Sequence, residues 1–343
     1  MTDPAPELLL APVSDKAVIE ETYHLVSTGE VLAGPLGFQL AVPRHWGFEI
    51  LDRIGPLPEK PLVPMARASD PESRAETVIL GAHLPREIHP ADWLRVFVAN
   101  KGHEIVDWRE RPSKFGRIPD ALVRGVGRTE GLGHRLTTIK DANRLFVIDT
   151  RMTAPDPQAQ EPAYMAMANF HLLAAEGTPY AEPFLPLILE AARPVEILVP
   201  GSWQQPGAGI DPPEGGAIAV MEHRREDTVM ATMIAVAGAP DGPDAAGLEE
   251  VTLAKFTANG VTLTAGPDIL SQYDSPDGQM HLLARAWSAT RGEAALSVLS
   301  AQADLAGVPV ALSLVTPSPE AGFEAWAIHR RAFDIAVNSL ALA

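Results

Sequence analysis

Apolar and polar positions alternate in two segments of the chain that read alike. Phe38–Trp46 reads FQLAVPRHW and Val195–Trp203 reads VEILVPGSW. Each alternating run has the period of a half-buried strand and leads into Val-Pro, two further residues and Trp. Pro43 and Pro200 lie 157 positions apart, and the shared pattern therefore predicts an internal repeat.

Further matches follow in the same order at slowly growing spacing. Asn100 and Asn259, each preceded by Ala, lie 159 positions apart, and Pro155 and Pro317 lie 162 apart. Two diverged copies with small insertions would show such a gradual increase in spacing. Chance can account for one such match, but it accounts less well for three matches in the same order. The predicted division is an N-terminal arm at 1–35, a first domain at 36–177, a linker at 178–193 and a second domain at 194–343.

Periodicity within each predicted domain indicates several strands, a middle helix and a closing helix. The apolar run Phe184–Leu189 lies in the predicted linker, and we interpret it as a short helix or linker. Helices gathered on a mostly antiparallel sheet of about five or six strands define an α+β fold class. The predicted helices are 90–101, 162–175, 248–258 and 320–342, and the predicted strands are 62–68, 78–84, 103–110, 136–140, 145–152, 217–222, 229–237, 280–288, 294–301 and 308–315.

The charge balance argues against nucleic-acid binding. Lys and Arg number 27 against 44 Asp and Glu, which gives a net charge of −17 and a surface that repels phosphate backbones. Because the chain has no run of 18 apolar residues, we expect no membrane insertion. The first residues lack the pattern of a signal peptide and cysteine is absent, which together predict a cytoplasmic protein.

Motifs of enzyme chemistry are missing from the sequence. It contains neither a Gly-x-x-x-x-Gly-Lys phosphate loop nor a Gly-x-Ser-x-Gly elbow, and Gly125-Val-Gly127 lacks the spacing of a dinucleotide site. The 10 histidines show no His-x-His or His-Glu-x-x-His spacing. We therefore predict that the protein is not an enzyme and expect no catalytic residue, no cofactor and no metal.

The order of these elements resembles a known superfamily. The predicted order is an alternating strand ending in Pro-x-x-Trp, a meander, a middle helix, a closing hairpin, a proline and a long helix. This order resembles that of the superfamily that includes photosystem PsbP, the Ran-binding Mog proteins and the bacterial DcrB-like proteins. The last group includes the Eag chaperones of type VI secretion effectors. The residues that carry the likeness are Phe38, Val42, Pro43, Trp46, Leu145–Val147 and Pro155 in the first copy, and Val199, Pro200, Trp203, Val310–Leu312, Pro317 and Arg331–Leu340 in the second.

The resemblance implies two tandem α/β/α sandwich domains that bind other proteins without catalysis. Eag chaperones hold apolar segments of effectors in the cytoplasm, often with pairs of domains. The resemblance thus implies a cytoplasmic chaperone or adaptor whose partner is a secreted effector with apolar segments. Two alternatives stay open, namely a structural subunit of a larger assembly and a small-ligand binder or enzyme that uses the cleft between the copies.

Candidate partner-contact residues follow from the faces of two predicted strands. His281, Arg285 and Trp287 share one face by period two, and Trp and Arg are enriched in binding patches. Asp149 and Arg151 share a face in the first copy. The alternative is structural, with Trp287 closing the rim of a core and Arg285 extending its charged end to water.

Overall fold

The chain folds into two compact units. The computed structural model describes residues 6–29, 32, 36–51, 62–113, 116–125, 133–154, 156–206, 211–274 and 280–343. The first unit is Met1–Ala181 and the second is Glu182–Ala343. The division therefore falls inside the segment 178–193 that the sequence predicts as a linker. Pro155, which is part of the predicted repeat, and Gly127 lie outside the described residues.

A seven-stranded and a three-stranded antiparallel sheet form the first unit. Its elements in chain order are α1 (Lys16–Thr22), β1 (Tyr23–Ser27), β2 (Phe38–Pro43), β3 (Gly47–Ile50), β4 (Val63–Ser69), β5 (Glu76–His83), α2 (Pro90–Asn100), β6 (Glu104–Ser113), β7 (Gly116–Arg124), β8 (Gly133–Asp141), β9 (Arg144–Met152), α3 (Pro157–Ala168) and β10 (His171–Leu172). The large sheet has the strand order β3-β4-β5-β9-β8-β7-β6, and the small one has the order β1-β2-β10.

The second unit has the same kind of sheet order. Its elements are β11 (Phe184–Leu189), β12 (Val195–Pro200), β13 (Ala217–Arg225), β14 (Thr228–Ala237), α4 (Ala245–Ala258), β15 (Thr262–Leu263), β16 (Asp268–Asp274), β17 (Met280–Arg291), β18 (Ala294–Leu305), β19 (Val308–Pro317), α5 (Pro319–Asn338) and β20 (Ala341–Leu342). The large sheet runs β13-β14-β19-β18-β17-β15, with β16 also paired to β17, and the small sheet runs β11-β12-β20.

Each unit is an α/β/α sandwich, because alternate residues of the central strands face different helices. In the second unit Leu299 and Ala301 pack with Phe333 of α5, whereas Val298 packs with Leu248 of α4 on the opposite face. In the first unit α2 contacts β6, β7 and β8, and α3 contacts β2, β8 and β9. The fold class is α+β, as predicted from the sequence.

The middle helices begin and end at local signals that are visible in the sequence. Asp244 caps the N-terminus of α4 by accepting a hydrogen bond from Gly247 N, and His89 caps α2 in front of Pro90. Gly102 follows α2 with φ +65° and Gly260 follows α4 with φ +81°. Glycine adopts this left-handed conformation without a Cβ clash, so both helices end where the sequence predicts.

The two Val-Pro-x-x-Trp motifs form the same turn. Trp46 N donates to Pro43 O at 3.0 Å, and Trp203 N donates to Pro200 O at 3.0 Å. The turns follow β2 and β12, and each turn directs its indole into the core. Trp46 is 7% exposed and Trp203 is 9% exposed. The motif therefore places an aromatic side chain in the core of each unit.

The closing helices differ from the predicted bounds. Helix α3 begins at Pro157, with Asp156 as its N-cap, and ends at Ala168 rather than at 175. Asn169 stops it, since its side-chain amide donates to Met165 O at 2.9 Å. Helix α5 likewise ends at Asn338, and the chain continues as the short strand β20.

Three strands of six or more residues were missed or interpreted otherwise in the sequence, and the shorter strands β3, β10, β15 and β20 were not predicted either. Phe184–Leu189 forms β11 and pairs with all of β12, so its interpretation as a short helix or linker is wrong. β7 (Gly116–Arg124) and β16 (Asp268–Asp274) were not predicted. All three lack clean alternation, and each is formed because a neighbouring strand supplies its hydrogen bonds.

Candidate functional site

The residues predicted to contact a partner in the second unit lie in different environments. Trp287 is 8% exposed and packs in the core beneath α4. Arg285 Nη2 donates to Glu249 Oε2 at 2.5 Å, and its guanidinium carbon lies 5.6 Å from the centre of the Trp287 ring. His281 is exposed and lines a hollow of about 200 Å³ with Gln272. The three side chains therefore do not form one open patch. Trp287 is a core residue, as in the structural alternative that the sequence left open.

Glu249 is the reason that Arg285 turns inward. This α4 carboxylate is 4% exposed, and it also accepts hydrogen bonds from Ser300 Oγ and from Gln302 Nε2, the latter at 2.6 Å. A buried carboxylate without such partners would carry a large desolvation cost. The cluster thus joins helix α4 to strands β17 and β18.

Asp149 and Arg151 share a face of the first unit's large sheet, as predicted from their spacing. Arg151 Nη1 lies 2.9 Å from Glu76 Oε1. Asp149 Oδ1 lies 3.0 Å from Nδ1 of His134, whose ring stacks on His103 with 5.4 Å between centroids. Both predicted residues thus have partners inside the first unit. Among the described residues there is no group of three or more His, Asp and Glu side chains placed to hold a metal ion.

The most exposed apolar strand is β16, at the edge of the second unit's large sheet. Every residue from Asp268 to Tyr273 is exposed. The exposed fraction is 67% for Ile269, 42% for Leu270 and 49% for Tyr273. Among the described residues β16 pairs along one edge, with β17, and a bulge interrupts this pairing between Ile269 and Ser271. An apolar strand edge of this kind offers backbone hydrogen-bonding groups and apolar side chains together.

The corresponding edge strand of the first unit is protected by charge. Strand β6 carries Glu104, Asp107, Arg109, Glu110 and Arg111 within 10 residues. Pro112 follows Arg111 within the strand, and charged residues and proline are the usual means of preventing edge-to-edge pairing. Strand β16 has an aspartate at each end and no charged residue between them. The two units therefore differ in whether this edge can accept another strand.

Three arginines surround one buried aspartate on the first unit's large sheet. Asp120 is fully buried, and Arg109, Arg111 and Arg135 lie within 2.9, 3.1 and 2.8 Å of its Oδ2 atom. The Tyr164 ring of α3 lies 4.9 Å from the Arg111 guanidinium carbon. These residues come from three adjacent strands and form the floor of a groove beside α3.

The chain's own N-terminal segment occupies this groove, which we call the arginine groove. Leu9 O accepts hydrogen bonds from Nη2 of Arg109, Arg135 and Arg111 at 2.5, 3.0 and 3.2 Å. Leu8 N donates to Asp107 Oδ2 at 2.7 Å, and the Leu8 side chain, 4% exposed, packs with Leu122 and Met152. The segment lies in the region that the sequence predicts as an arm.

Gln160 and Glu161 of α3 hold the same segment along its length. Gln160 accepts from Leu9 N at 2.9 Å and donates to Glu7 O at 2.8 Å. Both Glu161 carboxylate oxygens accept from Ser14, at 2.7 Å from the backbone N and 2.8 Å from Oγ. Burial, together with the nearby Glu161 carboxylate, raises the pKa of Tyr23 above its ordinary value. The groove therefore recognises mainly the backbone of an extended peptide.

A buried histidine pair lies beside Trp203 in the second unit. His329 is 1% exposed, with Nε2 2.8 Å from His223 Nδ1 and Nδ1 2.8 Å from Thr316 Oγ1. The Trp203 and His223 rings stack with 6.0 Å between centroids. Burial and the neighbouring His223 lower the pKa of His329 to about 3, so its imidazole is neutral at physiological pH.

Comparisons with known proteins give structural neighbours only. No protein-family model matches the chain, and no curated protein matches it. One neighbour is the solution structure of cyanobacterial PsbP (CyanoP) from Synechocystis sp. PCC 6803. The match covers 44% of this chain and 92% of the PsbP chain, with 14% sequence identity and a TM-score of 0.32. A PsbP structure is thus among the neighbours, and PsbP is one of the proteins named in the resemblance above.

Two further neighbours are an immunity protein of T6SS and the Tle4–Tli4 complex. The apo structure of the immunity protein TplEi of T6SS from Pseudomonas aeruginosa covers 93% of this chain and 97% of its own, with 9% identity and a TM-score of 0.24. The Tle4–Tli4 complex covers the same shares with 11% identity and a TM-score of 0.22. At these TM-scores the similarities determine neither a partner nor an activity for this chain.

Proposed function

We propose that this chain binds a protein partner through the open edge of β16. The observation that carries the proposal is the exposure of every residue from Asp268 to Tyr273 in a strand with three large apolar side chains. Soluble proteins usually protect such edges, as β6 is protected by charge in the first unit. An edge that is left apolar and open suits a partner that pairs with it.

The chemistry of the edge favours an extended apolar segment as the bound part of the partner. A strand added beside β16 would satisfy its outward backbone N–H and C=O groups, and side chains of the partner would contact Ile269 and Tyr273. The net charge of −17 keeps the remaining surface soluble while this edge is exposed. We further propose that the partner is a secreted effector with apolar segments, for which this protein is a cytoplasmic chaperone or adaptor.

The role we propose is binding without catalysis. The charged residues Glu249, Asp120 and Asp149 each have partners inside their own unit, and these partners account for the burial of Glu249 and Asp120. We also propose that the two units are copies of one domain, since they have matching sheet orders and the same Trp turn. One copy has then kept a protected edge while the other exposes a binding edge.

The experiment places a photo-reactive phenylalanine analogue at Leu270 in the full chain, in the native cell. We expect it to crosslink one protein that also co-purifies with the unmodified chain. Ile269→Lys introduces a charge at the edge and should abolish both results. Val251→Lys is the matched control, because Val251 is 38% exposed on α4 and outside the edge. Equal recovery of the partner with Ile269→Lys and with the native chain would contradict the proposal.

A chaperone role has its own test once the partner is identified. Expression of the partner without this chain should leave it aggregated, and co-expression with the native chain should make it soluble. Co-expression with Ile269→Lys should leave it aggregated. A partner that is equally soluble alone would support an adaptor or a structural subunit instead.

A further inference from the structure

The arginine groove of the first unit is better suited to a carboxylate than to the carbonyl oxygen that it holds. Arg109, Arg111 and Arg135 all donate to the uncharged Leu9 O atom. Among the described residues Asp120 is the carboxylate that all three contact, and Asp107 lies one residue along the groove at Leu8 N, so three positive charges face two negative charges here. Arg135 is 3% exposed and pairs with both Asp120 oxygens, at 2.9 and 2.8 Å, while Arg109 and Arg111 share the Oδ2 atom of the same aspartate. Hydrogen bonds from these charged donors would be stronger to a carboxylate than to the neutral Leu9 carbonyl.

The rest of the groove binds an extended peptide backbone. Asp107 and Gln160 bind the backbone N–H groups of Leu8 and Leu9, and Gln160 also donates to Glu7 O. The pocket formed by Leu122 and Met152 encloses the Leu8 side chain. A ligand would therefore need an extended backbone, a leucine in this pocket and an oxygen one residue later.

We propose that the arginine groove is a binding site for the C-terminal carboxylate of a peptide whose penultimate residue is leucine. The chain's own segment, with Leu8 in the pocket and Leu9 O at the arginines, is an internal competitor that such a peptide displaces. Because the segment is tethered, its effective concentration is high and it weakens the apparent affinity of any external peptide. This site lies in the first unit and does not depend on the function proposed for β16.

The test measures binding of labelled acetyl-Pro-Glu-Leu-Leu to the full chain by fluorescence anisotropy. One peptide has a free C-terminal carboxylate, and the other has a C-terminal amide in its place. We expect the acid to bind at least about tenfold more tightly than the amide, because hydrogen bonds to a charged group are the stronger ones. Leu8→Ala empties the pocket and should tighten binding of the acid by about 30-fold. Leu10→Ala is the matched control, since Leu10 is 70% exposed, and it should leave the affinity unchanged.

Arg111→Gln tests the arginines themselves. Arg111 has 19% of its side chain exposed, and its replacement should remove most of the preference for the acid while circular dichroism shows a folded chain. Equal affinity for acid and amide in the Leu8→Ala chain would overturn the proposal, whether or not Arg111→Gln folds. Failure of both peptides to bind when hydrogen exchange shows a released segment would also overturn it. A dimer that forms through exchanged segments would assign the groove to a second copy of the chain instead.

Discussion

Acid should destabilise the second unit through His329. This side chain is 1% exposed and bonded to His223 and Thr316, and its pKa is lowered to about 3, by burial first and by His223 second. In the unfolded chain the same imidazole has an ordinary pKa of about 6.5. Between these two values the unfolded state binds a proton that the folded state does not. The free energy of unfolding is therefore unaffected above about pH 7 and falls as the pH drops through 6.5 towards 3.

The size of the effect follows from the two pKa values. Each pH unit below the unfolded-state pKa of about 6.5 lowers the free energy of unfolding by about 1.4 kcal/mol until the folded-state pKa is reached. At pH 5 the pH lies about one and a half units below the unfolded-state value. His329 alone should thus lower the free energy of unfolding by about 2 kcal/mol between pH 7.5 and pH 5. His329→Gln can keep hydrogen bonds to both neighbours and does not titrate, so it should remove this part of the pH dependence.

Hydrogen exchange read on peptides from β18 and β19 reports the second unit separately from the first. The native chain and His329→Gln are compared at pH 7.5 and pH 5 after correction for the intrinsic exchange rate. His281→Gln is the control, because His281 is exposed and should leave the pH dependence as it is. If His329→Gln lost as much stability on acidification as the native chain, the assignment of the effect to the buried imidazole would be wrong.

Three further predictions concern stability and association. Glu249→Ala leaves Arg285 without its carboxylate and should lower the free energy of unfolding by about 3 kcal/mol in denaturant titration, whereas exposed Glu250→Ala should change it by less than about 0.5 kcal/mol. Trp203→Ala removes a core indole and should cost about 3 to 5 kcal/mol in the same assay. Ile269→Lys should reduce concentration-dependent association in sedimentation velocity and change stability by less than about 0.5 kcal/mol.

Local signals in the sequence were sufficient for the start of α2 and for the Trp turns, whereas α3 and α4 begin 5 and 3 residues before the predicted starts at 162 and 248. The N-cap Asp244 and the glycine after α4 act within a few residues, and Val-Pro-x-x-Trp closes a turn within the motif itself. Strand β11 was misjudged because Phe184–Leu189 is apolar on both faces, and its pairing with β12 depends on the fold. Propensity alone does not distinguish such a run from a helix.

The sites depended on contacts that spacing does not reveal. Period two grouped Arg285 with Trp287 correctly, yet it did not show that α4 covers that face and that Glu249 pairs with the arginine. The arginine groove joins Leu9 to Arg109 across 100 positions. Its one visible signal was the charge density of β6, which reads equally well as a solvated edge. The exposed edge of β16 had no such signal, because it was not predicted as a strand.

The most direct test of the central claim is hydrogen exchange on the purified complex of this chain with its partner. Binding at the β16 edge predicts strong protection of the amides of residues 268–273 in the complex, with little change on β6, which is the matched edge in the first unit. Unchanged exchange across residues 268–273 in a stable complex would contradict the account, since the partner would then be bound elsewhere.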